Sequence, residues 1–105
     1  MDADEPILQK CRAVLCSLYG DRLMGVVLYG SCARGEETGE SDIDLMVLLD
    51  GPVNVAGEIR RIWDGLYPVQ LESDKRISVL PADADRYHKG DSSLYRSIQE
   101  YGVAV

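Results

Sequence analysis

Two short apolar runs, MGVVLYG at residues 24–30 and IDLMVLLD at 43–50, constrain this chain more than any other feature. Each is aliphatic, brief and bounded by breakers, the pattern of a strand covered on both faces. Gly30 ends the first, and Gly51-Pro52 stops the second. Between them runs a charged loop, and the second strand opens on Asp42-Ile43-Asp44. Two acids at the mouth of an apolar strand require an explanation.

The flanking segments supply helices. Residues 5–19 put Ile7, Leu8, Cys11, Val14, Leu15 and Leu18 on one stripe at helical period, with Asp4 as a cap, Pro6 in the first turn and Gly20 at the end. Residues 53–66 bring Val55, Ile59, Ile62, Trp63 and Leu66 to one face of a second helix. The stretch PVQLESDKRISVLP from residue 68 reads either as two strands around Ser73-Asp74-Lys75 or as one bent strand with a bulge. A short helix capped by Asp91 or Ser92 then carries Leu94, Ile98 and Tyr101, closed by Gly102 and a terminal VAV. The predicted order is α-β-β-α-β-(β)-α, an α/β or α+β domain with helices against one parallel or mixed sheet.

At 105 residues the chain has room for one core, and the expectation is a single domain over residues 1–105. No apolar run approaches the roughly 20 residues needed to cross a bilayer, and the acidic start MDADEP is unlike a secretion signal, so the sequence reads as cytoplasmic. Cys11, Cys16 and Cys32 are an odd number without a C-x-x-C pair and read as free buried thiols. A formal charge of −7 argues against direct nucleic-acid binding, which is driven by Lys and Arg displacing counterions. If phosphates bind, a metal must carry them.

Known phosphate and nucleophile patterns narrow the choice. A Walker loop fails because Gly35 precedes Glu36 where lysine is needed, and the dinucleotide fingerprint fails because GSCARG lacks its middle glycine. A nucleophile elbow would need glycine at Tyr29, and His88 has no pattern linking it to Ser31. A calcium loop would need an oxygen ligand at Met46. What survives is a two-part site. On an extended strand, residues i and i+2 share a face about 6.5 to 7 Å apart, so Asp42 and Asp44 point together while Ile43 turns into the core. Unscreened by a cation, they repel by roughly 1 to 4 kcal/mol at surface-like dielectric. Magnesium suits such a pair, because it takes one or two carboxylates and completes its shell with water and nucleotide phosphates. The Gly30-Ser31 turn offers a backbone that can approach phosphate, a hydroxyl, and the amides of a helical turn.

These residues resemble the signature of the DNA polymerase beta-like nucleotidyltransferase superfamily, Gly-Ser, ten residues, then Asp-x-Asp. Here Gly30-Ser31 precede residues 32–41 and Asp42-Ile43-Asp44. The longer phrase GSCARGEETGESDIDLMV is similar to the minimal nucleotidyltransferases, written GSxARG and then SDIDL. The resemblance covers the whole chain. It implies a nucleotidyltransferase fold, a mixed sheet of about four strands flanked by helices. It also implies a Mg²⁺-dependent transfer of nucleoside monophosphate, AMP from ATP, to a hydroxyl acceptor with release of pyrophosphate. Gly30 and Ser31 would hold the triphosphate, and Asp42 and Asp44 would ligate two Mg²⁺ ions, with Mn²⁺ as a substitute. Arg34 would be a phosphate clamp or a structural partner of Glu36, Glu37 or Glu40.

The family's third carboxylate sits on a later strand, as metal ligand and general base. Glu72 in VQLES is the candidate for both roles, while the other register, RISVL, offers Ser78, which cannot ligate as a carboxylate does. Family members often act as antitoxin beside an all-helical HEPN-type partner, so such a protein, or a homodimer, is the expected partner and the expected acceptor. The other reading is a nucleotidyltransferase-fold module, weak or inactive as a catalyst, that neutralises a partner by contact. Trp63 and the tyrosines read as core or interface.

Overall fold

The computed structural model describes residues 1–36 and 41–105. Helix α1 (Pro6–Tyr19) leads through a 3-10 turn at Gly20–Arg22 into strand β1 (Leu23–Tyr29), followed by β2 (Ile43–Leu49), α2 (Val55–Glu72), β3 (Ile77–Asp83), α3 (Ala84–Lys89), α4 (Ser93–Tyr101) and β4 (Val103–Ala104). Among the described residues the sheet has the order β3-β2-β1-β4. It is mixed, as expected: β1 runs antiparallel to β2 and β4, whereas β2 and β3 are parallel and joined through α2. Residues Asp2, Asp4 and Glu5 precede α1, but it is Glu5 that occupies the cap position, without a side-chain bond.

Alternation along β2 explains the layering. Ile43, Leu45, Val47 and Leu49 join Leu8, Cys11, Leu15, Ile62 and Leu66 in the larger core, under α1 and α2. Met46 and Leu48 face the other way, against Tyr87 of α3 and Ile98 of α4. A strand buried on both faces has no room for polar alternation, which is why it reads as a continuous apolar run. Asp44, two residues before Met46, therefore lies on the α3–α4 side, at the rim of the smaller core.

Residues 68–72 correct the sequence reading. They form no strand but the last turn and more of α2, which passes through Pro68 to Glu72. An interior proline costs a helix about 3 kcal/mol. Here the apolar stripe continues past it: Ile62, Leu66 and Val69 are all buried, and that burial outweighs the local cost. Gln70 then ties the helix to the sheet, accepting from Ile77 N at 2.7 Å and donating to Lys75 O at 3.0 Å. The segment holds a single strand, β3, starting at Ile77.

Helix α3 was not expected. Asp83 caps it by accepting from Asp85 N and Arg86 N, and Gly90 ends it in the left-handed region at φ 66°. Helix α4 follows the sequence reading, with Ser92 accepting from Tyr95 N. Cys11 and Cys32 are buried as expected, but Cys16 is exposed on α1. Among the described residues no helix is long and apolar enough to cross a membrane.

Candidate active site

The antiparallel pairing of β1 and β2 sets Tyr29 opposite Asp44, so Gly30 and Ser31, which leave the end of β1, pass beside the start of β2. Gly30 has φ +76°, a conformation that residues with a Cβ adopt at a cost. A Cβ placed there would meet Asp44 Oδ2 at 2.4 Å and Asp44 Cγ at 3.3 Å. The glycine is thus required twice, by its backbone angle and by the carboxylate packed against it. The glycine turn and the second aspartate are packed directly against each other.

Residues 31–35 form a turn held by Arg34 N donating to Gly30 O at 3.3 Å and Glu36 N donating to Ser31 O at 3.0 Å. Cys32, buried within this turn, donates its thiol to Asp42 O at 3.2 Å. That bond ties the turn to the residue just ahead of β2. The remainder of the charged loop, with Glu37 and Glu40, lies outside the described residues.

Asp42 is exposed and Asp44 half-buried. Burial pushes the Asp44 carboxyl above its ordinary range, and the negative charge of Asp42 pushes it in the same direction. Asp42 is thus near enough for its charge to act on Asp44. Tyr29, across from Asp44, is also raised, by burial first and by Asp44 second. Two carboxylates, one exposed and one half-buried against Gly30, supply the hard oxygen donors that Mg²⁺ accepts. These residues fit such an ion.

Glu72 does not join them. Ile43 points to the face opposite Asp42 and Asp44, and Glu72 shares a 230 Å³ cavity with Ile43 and Ser73 on that opposite face. Its carboxylate pairs instead with Lys10 Nζ at 2.6 Å. The expectation that Glu72 sits on a strand next to the two aspartates is corrected, because α2 runs six residues further than its stripe suggests, from Leu66 to Glu72, before β3 begins. The β3 residue level with Asp44 is Ser78. Among the described residues no group of three or more His, Cys, Asp or Glu side chains is placed to hold a metal together.

Arg34 is exposed, and among the described residues it forms no ion pair; Glu36 is not its partner. Its guanidinium lies 5.2 Å from the centre of the Tyr101 ring. Tyr29, Gly30, Arg34, Ser97 and Tyr101 surround an 80 Å³ cavity between the glycine turn and α4. Sequence reasoning missed Tyr29 and Tyr101, since a tyrosine's role here depends on strand register and on where α4 docks. His88 lies outside the site, edge-on to Tyr87 with ring centres 5.4 Å apart.

Comparison with known proteins places this geometry in a family. Residues 8–105 match the family model described as nucleotidyltransferase domain. Two proteins of Methanocaldococcus jannaschii, whose names mark them as candidate protein adenylyltransferases, are similar over part of the chain. One is 48% identical over 44 residues, 42% of this chain and 42% of that protein. The other is 38% identical over 47 residues, 45% of this chain and 47% of that protein. The aligned stretch thus spans less than half the length of either relative. A chain from the crystal structure of a mutant toxin–antitoxin pair, MntA-HpeT, shares the fold with a TM-score of 0.59, covering 92% of this chain and 70% of that one at 16% identity. Matched over nearly its whole length, the chain belongs to the nucleotidyltransferase domain family.

Proposed function

We propose that this protein transfers AMP from ATP, with Mg²⁺, to a hydroxyl group of a protein partner, and that it serves as the antitoxin of a HEPN-type pair. The observation that supports the reading is the close packing of the Asp44 carboxylate against Gly30 in the turn after β1. Asp42 and Asp44 hold the divalent ions, while Gly30, Ser31 and Arg34 hold the triphosphate. Bound Mg²⁺ supplies charge neutralisation and Lewis acidity at the transferred phosphorus. The chain itself would orient the α-phosphate so that the acceptor hydroxyl oxygen attacks phosphorus, the bond to pyrophosphate breaks, and the hydroxyl proton passes to solvent water. Glu72, paired with Lys10 on the other face, has no part in this set.

Similarity to proteins named as protein adenylyltransferases favours ATP as donor and a protein as acceptor, and the shared fold with a toxin–antitoxin chain favours the partner class. The test is incubation with α-labelled ATP, Mg²⁺ and the HEPN-type protein, if any, encoded beside it. Label on the partner supports the reading, and its absence in Asp42→Asn/Asp44→Asn assigns the residues.

A second reading is favoured by Ser78. The β3 position level with Asp44 carries a hydroxyl where a third carboxylate would complete the metal set and supply a base. On this account the chain neutralises its partner by contact. The double variant then still binds and inhibits that partner, and no label is transferred.

A further inference from the structure

The contact between Arg34 and Tyr101 joins the glycine turn to a helix that the motif does not include. Tyr101 is the last residue of α4, and its position is fixed from behind. Gly102 presses on β1: a Cβ there would meet Val27 Cγ1 and Ile98 O, each at 2.6 Å. Beyond it, β4 pairs with Val27 and Leu28 of the strand that ends at Gly30. Tyr101 is therefore registered to the glycine turn through the backbone of β1, although the residue is 51% exposed.

Arg34 is in the opposite situation. Its backbone is anchored to Gly30 O, but its side chain is long, exposed and without an ion-pair partner among the described residues. An arginine in this state samples many rotamers, and ordering it on ligand binding costs free energy. The ring of Tyr101 removes part of that freedom, holding the guanidinium beside the cavity that Gly30 borders.

We propose that Tyr101 is the positioning residue for Arg34: its ring preorganises the guanidinium to meet nucleotide phosphate at the Gly30-Ser31 turn. This rests on the reading of Arg34 as a phosphate ligand. The face of the ring carries the interaction, so the hydroxyl is dispensable and an aliphatic residue cannot substitute.

The test measures binding of a non-transferable analogue, α,β-methylene-ATP with Mg²⁺, by calorimetry to wild type, Tyr101→Phe, Tyr101→Leu, Arg34→Ala and the double variant Arg34→Ala/Tyr101→Leu. Tyr101→Phe binds as wild type, and Tyr101→Leu binds about two- to five-fold more weakly, the range of an exposed cation–π contact. In the Arg34→Ala background the leucine change has no further effect. In parallel, the Arg34 Nε–H resonance of the ligand-free protein shifts in Tyr101→Leu and not in Tyr101→Phe. Equal binding by Tyr101→Leu and wild type overturns the proposal, and so does an undiminished loss in the Arg34→Ala background, which would mean that the ring touches nucleotide directly. If wild type and Arg34→Ala bind alike while Asp42→Asn/Asp44→Asn does not bind, this inference fails and the nucleotide site stands; if wild type binds no nucleotide, both fail.

Discussion

Asp44 packs against Gly30 too closely for a side chain there: its carboxylate oxygen lies 2.4 Å from where a Cβ on residue 30 would be. Gly30→Ala would therefore both strain a backbone at φ +76° and displace the carboxylate. The left-handed conformation alone costs about 1 to 2 kcal/mol for a residue with a side chain. Transfer activity should fall about 100-fold, the order expected when a reacting group moves by about an ångström. Thermal melts and label transfer on the same preparation check both.

Asp44 makes the ligand-free protein sensitive to pH. Its carboxyl holds a proton to higher pH when folded than when unfolded, through burial and then through Asp42. Between the two pKa values the folded state binds more protons, so stability declines as pH rises through that window and levels off above it. Asp44→Asn removes this decline and leaves the ligand-free protein at least as stable at neutral pH. Denaturant unfolding of both proteins across the acidic range reads the difference.

Magnesium should act in the opposite direction. A cation that binds only the folded state stabilises by about 2.7 kcal/mol at a hundred times its dissociation constant. Mg²⁺ with ATP raises the melting temperature of wild type and leaves Asp42→Asn/Asp44→Asn unchanged.

The Lys10–Glu72 pair joins two exposed side chains and contributes about 0 to 1 kcal/mol. Glu72→Gln should leave transfer unchanged, since the residue stands on the far face of the sheet. Ser78→Asp places a third carboxylate level with Asp44, and should tighten Mg²⁺ binding while destabilising the metal-free protein. Calorimetry with Mg²⁺ and label transfer distinguish the two positions.

Glu58 is buried at 7% exposure, accepts from Tyr19 Oη at 3.1 Å and pairs with Arg22 Nη1 at 2.7 Å. It binds α2 to the turn between α1 and β1. Glu58→Ala leaves Tyr19 Oη without its acceptor and removes one of three acceptors of the Arg22 guanidinium, which keeps Asp50 O and Pro52 O, and should cost about 1 to 3 kcal/mol. Activity of the folded fraction is unaffected, which separates this scaffold from the site.

The approach of Gly30 to Asp44 was legible because spacing and strand order coincide there: Gly30 follows the end of β1, Asp44 stands near the start of β2, and the antiparallel register pairs Tyr29 with Asp44. Glu72 was misread because a proline at residue 68 normally ends a helix, and only the burial of Val69 shows that α2 continues. Once α2 runs to Glu72, β3 starts at Ile77 and its register brings Ser78 to Asp44. Tyr101 was invisible for a different reason. Its helix is readable from Leu94 and Ile98, but its contact with Arg34 depends on where Gly102 lets that helix dock, which no local pattern encodes.

The most direct measurement is calorimetric titration of ATP into the protein with and without Mg²⁺, for wild type and for Asp42→Asn/Asp44→Asn. Wild type should bind ATP only when the divalent ion is present, and the double variant should not bind it. Binding that is indifferent to Mg²⁺, or that survives the loss of both carboxylates, would contradict that expectation.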